Sequence, residues 1–374
     1  MTKTSQSAPQ LAVVPETSSP GLENIVVADT VLSHVDGVEG RLIVRGYDLD
    51  SIADWSYEAV LALLWQDLAP GLASEADVRM ALGRARVQAF QLVERLLPTM
   101  PRLSQVEALR FCLSALTDAE PDPHHVVAVA AVPVFAAAIS RHSAGSSPVA
   151  PNPDLGHAAD FLSMLHGTNP TEEKVKALNT YLVTVADHGL NASTFAGRVI
   201  ASTKAGMFSS VIGALCALKG PLHGGAPGPV LDMLDAIGTE SNIDGWLSTS
   251  LARGERLMGF GHRIYRVRDP RADVLKQAVI ALRNSGGRIG FAQTVESAAL
   301  ALLAEKKPLR PLQTNVEFYT ALLLEAVGFP RESFTNVFAA GRMGGWTAHI
   351  LEQEHLGKLI RPQSRYVGPL PDPA

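Results

Sequence analysis

From residue 51 to near the C-terminus, apolar residues recur at the spacing of amphipathic helices. The segments SIADWSYEAVLALLW, SEADVRMALGRARVQAFQLVERLL and SQVEALRFCLSAL place apolar residues at i, i+3 and i+4, so each can bury one face of a helix. Ser51, Ser74 and Ser104 open these segments, and serine is a favoured helix cap. Strands do not alternate with helices along the chain, which argues against a parallel sheet. The pattern predicts an all-α protein.

The same period predicts further helices after a Pro/Ser/Gly loop at residues 142–157. They cover residues 158–165, 171–187, 192–218, 229–237, 243–253, 271–284, 291–305, 316–327 and 345–358. Before residue 51 the pattern differs, because residues 21–50 alternate apolar and polar side chains. This alternation predicts one or two short strands or a small hairpin. The longest apolar run, residues 126–139, is too short to span a bilayer and is interpreted as a buried helix.

The composition bounds the class of protein. The chain has 374 residues, 18% of them charged, and a net charge of −5 at pH 7. Its length predicts two or three domains, and its charge gives no general attraction to nucleic acid or to an anionic membrane, so neither is expected as a partner. Cys112 and Cys216 stand far apart in apolar, helix-like surroundings and are interpreted as reduced core residues of a cytoplasmic protein. Residues 1–20 lack a signal-peptide pattern and are rich in Ser, Thr and Pro, so a disordered tail is expected.

Two stretches place histidine and arginine beside glycine-rich turns. In KGPLHGGAPGPV, glycines and prolines surround His223. This is either a plain connection between helices or a rigid turn where backbone approaches a ligand closely. The stretch RGERLMGFGHRIYRVRDPRADVL, residues 253–275, gathers six arginines in an acidic protein. It is either a solvated charged face or a site for a small anion or a phosphate-bearing cofactor, since arginine binds carboxylates and phosphates with two hydrogen bonds.

The stretch LQTNVEFYTALLLEAVGFP, residues 312–330, predicts a buried helix with Glu317 in its first turn. Thr314 and Glu317 match the capping box S/T-x-x-E, in which both side chains bond to the start of the helix. Taken alone, this window favours the structural role. The other interpretation is a working carboxylate, and residues elsewhere in the chain must decide between the two.

Other candidates are weaker when taken singly. His188 follows an apolar helix in VADHGLNASTF, where a histidine is usually a hydrogen-bonded core residue. Arg342 stands among small and apolar residues in FAAGRMGGWTAHILEQ, a costly position unless the charge is paired. Arg361 belongs to LIRPQSRYVG near the C-terminus. His349 and Glu352 share a helix face but match no zinc spacing, so no metal site is predicted.

Taken in order, these stretches resemble the citrate synthase family. The resemblance rests on RGYDLDSIA, ADHGLNAST, GPLHGGAPGPVLDML, LMGFGHRIYRVRDPRADVL, QTNVEFYTALLLEAVGFP, FAAGRMGGWTAHILEQ and LIRP, and it runs from about residue 21 to the C-terminus. It implies an all-α homodimer. In each subunit it implies a large helical domain at residues 21–223 and 331–374 and a smaller domain at residues 224–330 that closes over the substrates.

The resemblance implies a Claisen condensation of acetyl-CoA with oxaloacetate and hydrolysis of the CoA thioester, the reaction that opens the tricarboxylic acid cycle. The acyl-CoA is a co-substrate, and no tightly bound cofactor is expected. By resemblance, Glu317 is the base that removes a methyl proton, His223 donates to the thioester oxygen and His262 polarises the ketone of oxaloacetate. The other implied contacts are to oxaloacetate from His188, Arg271, Arg342 and, across the dimer, Arg361, and to CoA from Arg266, Leu257, Met258, Gly259 and Gly261.

One departure from the family pattern falls on the base itself. Most members carry Asp where this chain has Glu317, which is one methylene longer and has nearly the same intrinsic basicity. We expect either a backbone that is set back slightly at this position or a slower enzyme. Other interpretations stay open: a 2-methylcitrate synthase that uses propionyl-CoA, a non-catalytic homologue that binds CoA or a dicarboxylate, and a helical metal-dependent hydrolase.

Overall fold

Helices account for nearly all the regular structure of this protein. The structure is a computed structural model that describes residues 21–22, 25–119, 123–223, 227–262, 264–265, 267–282, 288–306 and 312–369. In these residues the helices are α1 Leu49–Ile52, α2 Tyr57–Trp65, α3 Glu75–Leu96, α4 Gln105–Leu113, α5 His124–Ser143, α6 His157–His166, α7 Glu172–Val185, α8 Ala192–Ala201, α9 Met207–Leu218, α10 Pro227–Ile237, α11 Ile243–Ala252, α12 Pro270–Ala281, α13 Ile289–Lys306, α14 Val316–Val327 and α15 Phe334–Leu356. The strands are β1 Ser33–Asp36, β2 Arg41–Val44 and β3 Tyr47–Asp48. The predicted all-α fold with a short N-terminal β segment is confirmed, and the tail expected at residues 1–20 lies outside the described residues.

The three strands form one antiparallel sheet in the order β1–β2–β3. β1 pairs with β2 from Ser33 opposite Val44 to Asp36 opposite Arg41. Residues 37–40 are therefore the turn of a hairpin, which is one of the alternatives that the alternation predicted, and β3 adds a third strand. Alternate residues of β2 are buried, so one face of the sheet packs into the protein.

α15 lies in the core, and its glycines allow backbone contact with the end of α7. A Cβ at Gly345 would lie 2.3 Å from the carbonyl oxygen of Ala186, and one at Gly341 would lie 2.4 Å from Cγ2 of Val185. Gly345 N also donates a hydrogen bond of 3.0 Å to the Ala186 carbonyl. Larger side chains at these two positions would force the helices apart. The small residues of α15 therefore place Arg342 next to the loop that follows α7.

α5 is the apolar helix predicted at residues 126–139. It runs for 20 residues, from His124 to Ser143, with Pro133 inside it. The helix is longer than the apolar run in it, and by length and composition alone it could cross a membrane. Most of it is buried against the rest of the protein, which confirms its interpretation as a buried helix.

Two of the larger differences from the predicted helices fall in the second half of the chain. The single helix predicted at residues 192–218 is two helices, α8 and α9, because the chain turns between them at Lys204 and Gly206, with φ of 61° and 92°. The helix predicted from residue 345 begins at Phe334. Its first half is buried on all sides, so it lacks the polar face by which an amphipathic helix is recognised.

Two of the three predicted serine caps are confirmed. Ser74 accepts a hydrogen bond from a backbone N–H in the first turn of α3, and Ser104 forms a capping box at the start of α4. Ser51 is not a cap, because it lies within α1. The first predicted helix is split after α1, and Ser56 caps α2 instead.

The two cysteines lie in different environments. Both are free thiols. Cys112 in α4 is buried, as predicted. Cys216 in α9 is exposed, so its assignment to the core was wrong. It lies on the outward face of a helix whose other face packs inward.

Candidate active site

Side chains from five separate elements meet near the start of α14. They are His188 after α7, His223 after α9, His262 and Arg271 around the start of α12, Glu317 in α14 and Arg342 in α15. The rings of His188 and His262 lie 6.1 Å apart. Burial, with the charges of Arg271 and Arg342, holds the pKa of His188 well below its usual 6.5. His223 also acts on His188, and the same two arginines act on Glu317, so the fold brings together six residues that the sequence pointed to singly.

The backbone fixes the proton position on His262. Its Nδ1 accepts hydrogen bonds of 3.0 Å from the N–H groups of Ile264 and Tyr265, so the neutral ring carries its proton on Nε2. Burial and the charge of Arg271 lower the pKa of His262 to about 4, and the ring is therefore neutral at pH 7. Nη2 of Arg271 lies 3.2 Å from this Nε2. Two N–H donors face one position, where they can bind a carbonyl or carboxylate oxygen together.

Asp269 holds Arg271 and joins α12 to α14. Its Oδ1 accepts a hydrogen bond of 3.0 Å from Arg271 Nε, and its Oδ2 accepts one of 2.8 Å from Arg271 Nη2. The same carboxylate caps α12 through Arg271 N, at 3.0 Å, and accepts a bond of 3.3 Å from Val316 N. Burial alone would lower the pKa of Arg271. The contact with Asp269 has the larger effect and raises the pKa of the arginine above its ordinary value. Arg271 is thus a charged group in a buried position.

His223 is held by Ser193 at the start of α8. His223 Nε2 and Ser193 Oγ lie 2.8 Å apart, and the same Oγ accepts a hydrogen bond of 3.2 Å from Trp346 Nε1. Burial, and then the charge of Arg342, lower the pKa of His223 to about 4. Because Ser193 occupies Nε2, Nδ1 is the ring nitrogen that is left to meet a ligand.

Glu317 does not belong to a capping box. The N-cap of α14 is Asn315, whose Oδ1 accepts a hydrogen bond of 3.0 Å from Glu317 N. Thr314 instead donates its hydroxyl to Glu296 Oε1, at 2.7 Å. The capping box predicted from TNVE was therefore wrong, because the helix begins one residue later than the box requires. Among the described residues, none donates a side-chain hydrogen bond to the Glu317 carboxylate.

The carboxyl group of Glu317 titrates near neutral pH. Burial raises its pKa to about 7, although the charges of Arg271 and Arg342 pull in the opposite direction. A carboxylate with this pKa is a much stronger base than an ordinary glutamate. At pH 7 the site therefore offers a base together with neutral imidazoles that can donate hydrogen bonds.

Arg342 is buried, with only 2% of its surface exposed. Its Nε donates a hydrogen bond of 2.6 Å to the carbonyl of Val185, and its guanidinium lies 5.0 Å from the centre of the Phe338 ring. Burial lowers its pKa to about 10, an effect that Asp187 opposes, so it is charged at pH 7. No described residue bonds to its two terminal nitrogens, which leaves them available to a carboxylate.

The turn LMGFG, residues 257–261, packs against the start of α14. Gly259 and Gly261 have φ of 86° and 83°, and a Cβ at Gly259 would lie 2.8 Å from Cβ of Phe318. Asn315 N donates a bond of 2.9 Å to the Gly259 carbonyl, and Asn315 Nδ2 donates one of 2.7 Å to the Gly261 carbonyl. Only glycine combines this conformation with such a close approach. These two hydrogen bonds to carbonyl oxygens hold the turn against the start of α14.

Four predicted contact residues remain, namely Leu257, Met258, Arg266 and Arg361. Leu257 is buried and Met258 packs against the core. Arg266 lies outside the described residues. Arg361 is exposed on the segment that follows α15, next to Ile360, whose N–H bonds to a serine at the end of α8.

His349 and Glu352 belong to a buried ionic network. Nη1 of Arg198 lies 3.0 Å from His349 Nδ1 and also bonds to the Glu352 carboxylate. On its other side, His349 Nε2 lies 3.3 Å from Asp187 Oδ2. Arg198 therefore supplies the positive charge between His349 and Glu352.

Tyr265 belongs to the site but was not predicted from the sequence. Its hydroxyl lies 3.1 Å from His188 Nε2, and its ring lies 4.8 Å from the ring of His262. The guanidinium carbon of Arg271 is 5.8 Å from the centre of the same ring. Burial raises the pKa of Tyr265, so the hydroxyl keeps its proton and can donate. Its position three residues after His262 could have indicated a role in the site. A single aromatic residue in an arginine-rich stretch is, however, usually interpreted as a packing residue.

Comparison with known proteins bears on what this site does. The family model described as citrate synthase, C-terminal domain, matches residues 21–363. The citrate synthase of Haloferax volcanii is 39% identical over 93% of this chain and 95% of its own length. The 2-methylcitrate synthase of Mycobacterium tuberculosis is 36% identical over 97% of this chain and 94% of its own. The chain belongs to the citrate synthase family.

A solved structure of the citrate synthase family agrees with this assignment. The ternary complex of carboxymethyl coenzyme A and oxaloacetate with citrate synthase from Thermoplasma acidophilum superimposes with a TM-score of 0.84 and 26% identity, covering 96% of this chain and 98% of that one. The resemblance inferred from the motifs is confirmed, and so is the predicted fold class. Members of the citrate synthase family are acyltransferases, and the match spans every candidate residue described above.

Proposed function

We propose that this protein is a citrate synthase that condenses acetyl-CoA with oxaloacetate and releases citrate and CoA, as a cytoplasmic enzyme of the tricarboxylic acid cycle. The observation that carries the proposal is Glu317, a buried carboxylate with a pKa of about 7 that the charges of Arg271 and Arg342 reach, in a site that also holds the neutral His223 and His262. Removing a proton from a weakly acidic methyl group needs such a base, and it needs a donor that stabilises the enolate oxygen.

Each step has a group placed for it. Glu317 takes a methyl proton from acetyl-CoA while Nδ1–H of His223 donates to the thioester oxygen. This tautomer of His223 requires the Ser193 hydroxyl to donate to Nε2 and not to Asn191 Oδ1, which lies at the same distance of 2.8 Å. The methyl carbon then attacks the ketone carbon of oxaloacetate, and a C–C bond forms while Nε2–H of His262 stabilises the ketone oxygen. That oxygen takes up one proton from solvent as Glu317 gives one back to solvent, so the number of protons balances. Water finally attacks the thioester carbonyl, the C–S bond breaks and CoA leaves as the thiol.

The two carboxylates of oxaloacetate need charged donors. Arg271 presents Nη2 beside His262, and Arg342 presents two nitrogens that bond to no described residue. Both arginines are buried, where a charge-assisted hydrogen bond is stronger than at the surface. His188 completes the set, joined to the same region through Tyr265.

A homodimer would complete the site with Arg361. This arginine is exposed on the C-terminal segment, which also exposes Leu359, Tyr366 and Val367 at 58%, 69% and 82% of their surfaces. Exposed apolar residues in an extended segment favour contact with a second copy of the chain. Arg361 of one subunit would then bind an oxaloacetate carboxylate in the site of the other.

CoA is proposed to lie along the LMGFG turn. The T. acidophilum relative was solved with carboxymethyl coenzyme A and oxaloacetate, which supports both substrates here. Leu257, Met258, Gly259 and Gly261 would line the CoA site, and Arg266 would bind its phosphates. Residues 224–330 are proposed to move as the smaller domain that closes over CoA and oxaloacetate.

Release of free thiol tests the proposed function directly. Purified protein is given oxaloacetate with either acetyl-CoA or propionyl-CoA, and thiol release is followed with a colorimetric reagent. A higher kcat/KM for acetyl-CoA is expected. An equal or higher kcat/KM with propionyl-CoA would indicate a 2-methylcitrate synthase. The similarity to the 2-methylcitrate synthase of M. tuberculosis is the reason to test this alternative. No release from either thioester would favour a non-catalytic homologue.

A further inference from the structure

The β1–β2 hairpin contacts both loops that carry the histidines for oxaloacetate. At its start, Ser33 Oγ donates a hydrogen bond of 2.5 Å to Asp187 Oδ2 and accepts one of 2.8 Å from Gly189 N. These two partners flank His188 in the sequence. One serine hydroxyl therefore holds the chain on both sides of that histidine.

The turn of the hairpin closes against the loop before α12. A Cβ at Gly37 would lie 2.5 Å from the carbonyl oxygen of Ile264, and one at Gly40 would lie 2.7 Å from Cγ2 of Val267. Gly37 is not in the left-handed region, so lack of space, rather than backbone conformation, requires glycine there. Asp36 Oδ1 stiffens the turn by accepting two backbone N–H bonds of 2.9 Å. The turn is a rigid surface in close contact with the loop.

That loop sets the orientation of His262 through its backbone. The N–H groups of Ile264 and Tyr265 both donate to His262 Nδ1 at 3.0 Å. Tyr265 then links two histidines, because its ring packs on that of His262 and its hydroxyl lies 3.1 Å from His188 Nε2. A shift of Ile264 would move these donors and turn the imidazole that faces Arg271. The hairpin thus reaches both histidines through two independent sets of contacts.

We infer that the β1–β2 hairpin is a positioning element of the active site, and that Ser33 and Gly37 fix the placement of His188 relative to His262. The inference rests on the proposed function, because it assigns both histidines to oxaloacetate. One oxaloacetate molecule must meet the two rings at once, so their separation of 6.1 Å between centroids decides how well its ketone is aligned.

Substitutions at Gly37 and Ser33 test the inference in the full-length protein. Gly37→Ala presses a methyl group against the Ile264 carbonyl and is expected to raise the KM for oxaloacetate about tenfold and lower kcat, with the KM for acetyl-CoA unchanged. Ser33→Ala removes both hydroxyl bonds and is expected to act in the same direction, whereas Ser33→Thr keeps the hydroxyl and is expected to restore wild-type constants.

Two matched variants serve as controls. Gly245→Ala in α11 adds the same methyl group where no heavy atom lies within 4 Å of the new Cβ. Val38→Ala changes the same turn at a side chain that is 68% exposed. Both are expected to leave kcat and both KM values at wild-type levels. A rise in the oxaloacetate KM in either control would show that the effect is not specific to the contacts described.

Thermal unfolding and an NMR titration of the histidine rings separate the outcomes. Unchanged oxaloacetate KM values in Gly37→Ala and Ser33→Ala overturn the inference, as does lower stability with no change in KM. If Gly37→Ala does not fold, the Ser33 pair decides alone. A wild-type protein without turnover contradicts the proposed function instead. In that case the NMR titration of His262 tests the inference about the hairpin. The pKa of His262, about 4 in the wild type, is expected to rise toward 6.5 in Gly37→Ala. An unchanged pKa would overturn the inference.

Discussion

Replacing Glu317 by glutamine removes a carboxyl group whose ionisation the folded protein opposes. Burial raises the pKa of this group from 4.5 to about 7. A glutamate that holds its proton more tightly in the folded chain than in the unfolded chain favours folding at low pH. That advantage is complete below pH 4.5 and is lost as the pH rises through 7. Glutamine has no charge at any pH, so Glu317→Gln is expected to be more stable than wild type at pH 8.

The size of this gain follows from the pKa. The difference between 4.5 and about 7, at about 1.36 kcal/mol per pH unit, sets an upper limit of about 3.4 kcal/mol in the free energy of unfolding. The carboxylate is partly open to solvent, which screens its charge, so a gain of about 1–2 kcal/mol at pH 8 is expected. Near pH 4 wild type and variant are expected to be equally stable.

Urea unfolding at pH 4 and pH 8 measures the difference. Glu173→Gln is a matched control, because Glu173 also occupies the second position of its helix, α7, but is exposed. Hydrogen bonds from its own backbone N–H and from Thr171 hold the pKa of Glu173 below its ordinary value, so its replacement is expected to lower stability at pH 8. If Glu317→Gln also lost stability at pH 8, the carboxylate would be a favourable helix-start residue and not a strained base.

Three further predictions concern turnover. From pH 7 to pH 5.5, kcat/KM is expected to fall toward tenfold per pH unit as Glu317 gains its proton, since its pKa is about 7; a flat profile over this range would argue against it as the base. Ser193→Ala is expected to lower kcat about tenfold and leave the affinity for oxaloacetate unchanged, because it removes the contact that holds the ring of His223. Weaker oxaloacetate binding in calorimetry would indicate that the substitution disturbs the whole site. Mixing inactive Arg361→Ala and Glu317→Gln dimers is expected to restore about a quarter of wild-type turnover after subunit exchange, since one site of each hybrid is intact; no recovery would exclude a shared site.

Helical periodicity predicted most of the fold because most of the helices have one buried and one exposed face. The helix at residues 316–327 was predicted with both ends correct, since polar residues precede it and Gly328 and Pro330 follow it. α15 was only half predicted, because its first half is buried all round. The break between α8 and α9 was missed because it depends on Lys204 adopting a left-handed conformation, which lysine rarely does.

The site was predictable where a residue belongs to a recognisable motif. His223, His262 and Glu317 were named from such motifs, and the fold brings them together. Asp269 and Tyr265 were not named, although both stand in the arginine-rich stretch. Their roles depend on contacts with residues far away in the chain, such as Val316 for Asp269 and His188 for Tyr265, and local sequence patterns do not encode these contacts.

The capping role predicted for Glu317 was wrong because the helix begins one residue later than the capping box requires. Thr314 bonds to Glu296 and Asn315 caps the helix, so the carboxylate is one position too early to reach back to its cap. The family resemblance implies aspartate at this position, and the prediction of a set-back backbone or a slower enzyme stays a prediction. Glu317→Asp compares the two side chains directly, and a rise in kcat would mean that the pocket suits the shorter one.

Thiol release from acetyl-CoA in the presence of oxaloacetate, measured at pH 8 for wild type and Glu317→Gln, tests the central claim most directly. The wild-type protein is expected to turn over. The variant is expected to lose about a thousandfold or more in kcat, because a general base contributes about a hundredfold to ten-thousandfold, and to bind oxaloacetate as tightly as wild type. A variant that releases thiol as fast as wild type would contradict the assignment of Glu317 as the base.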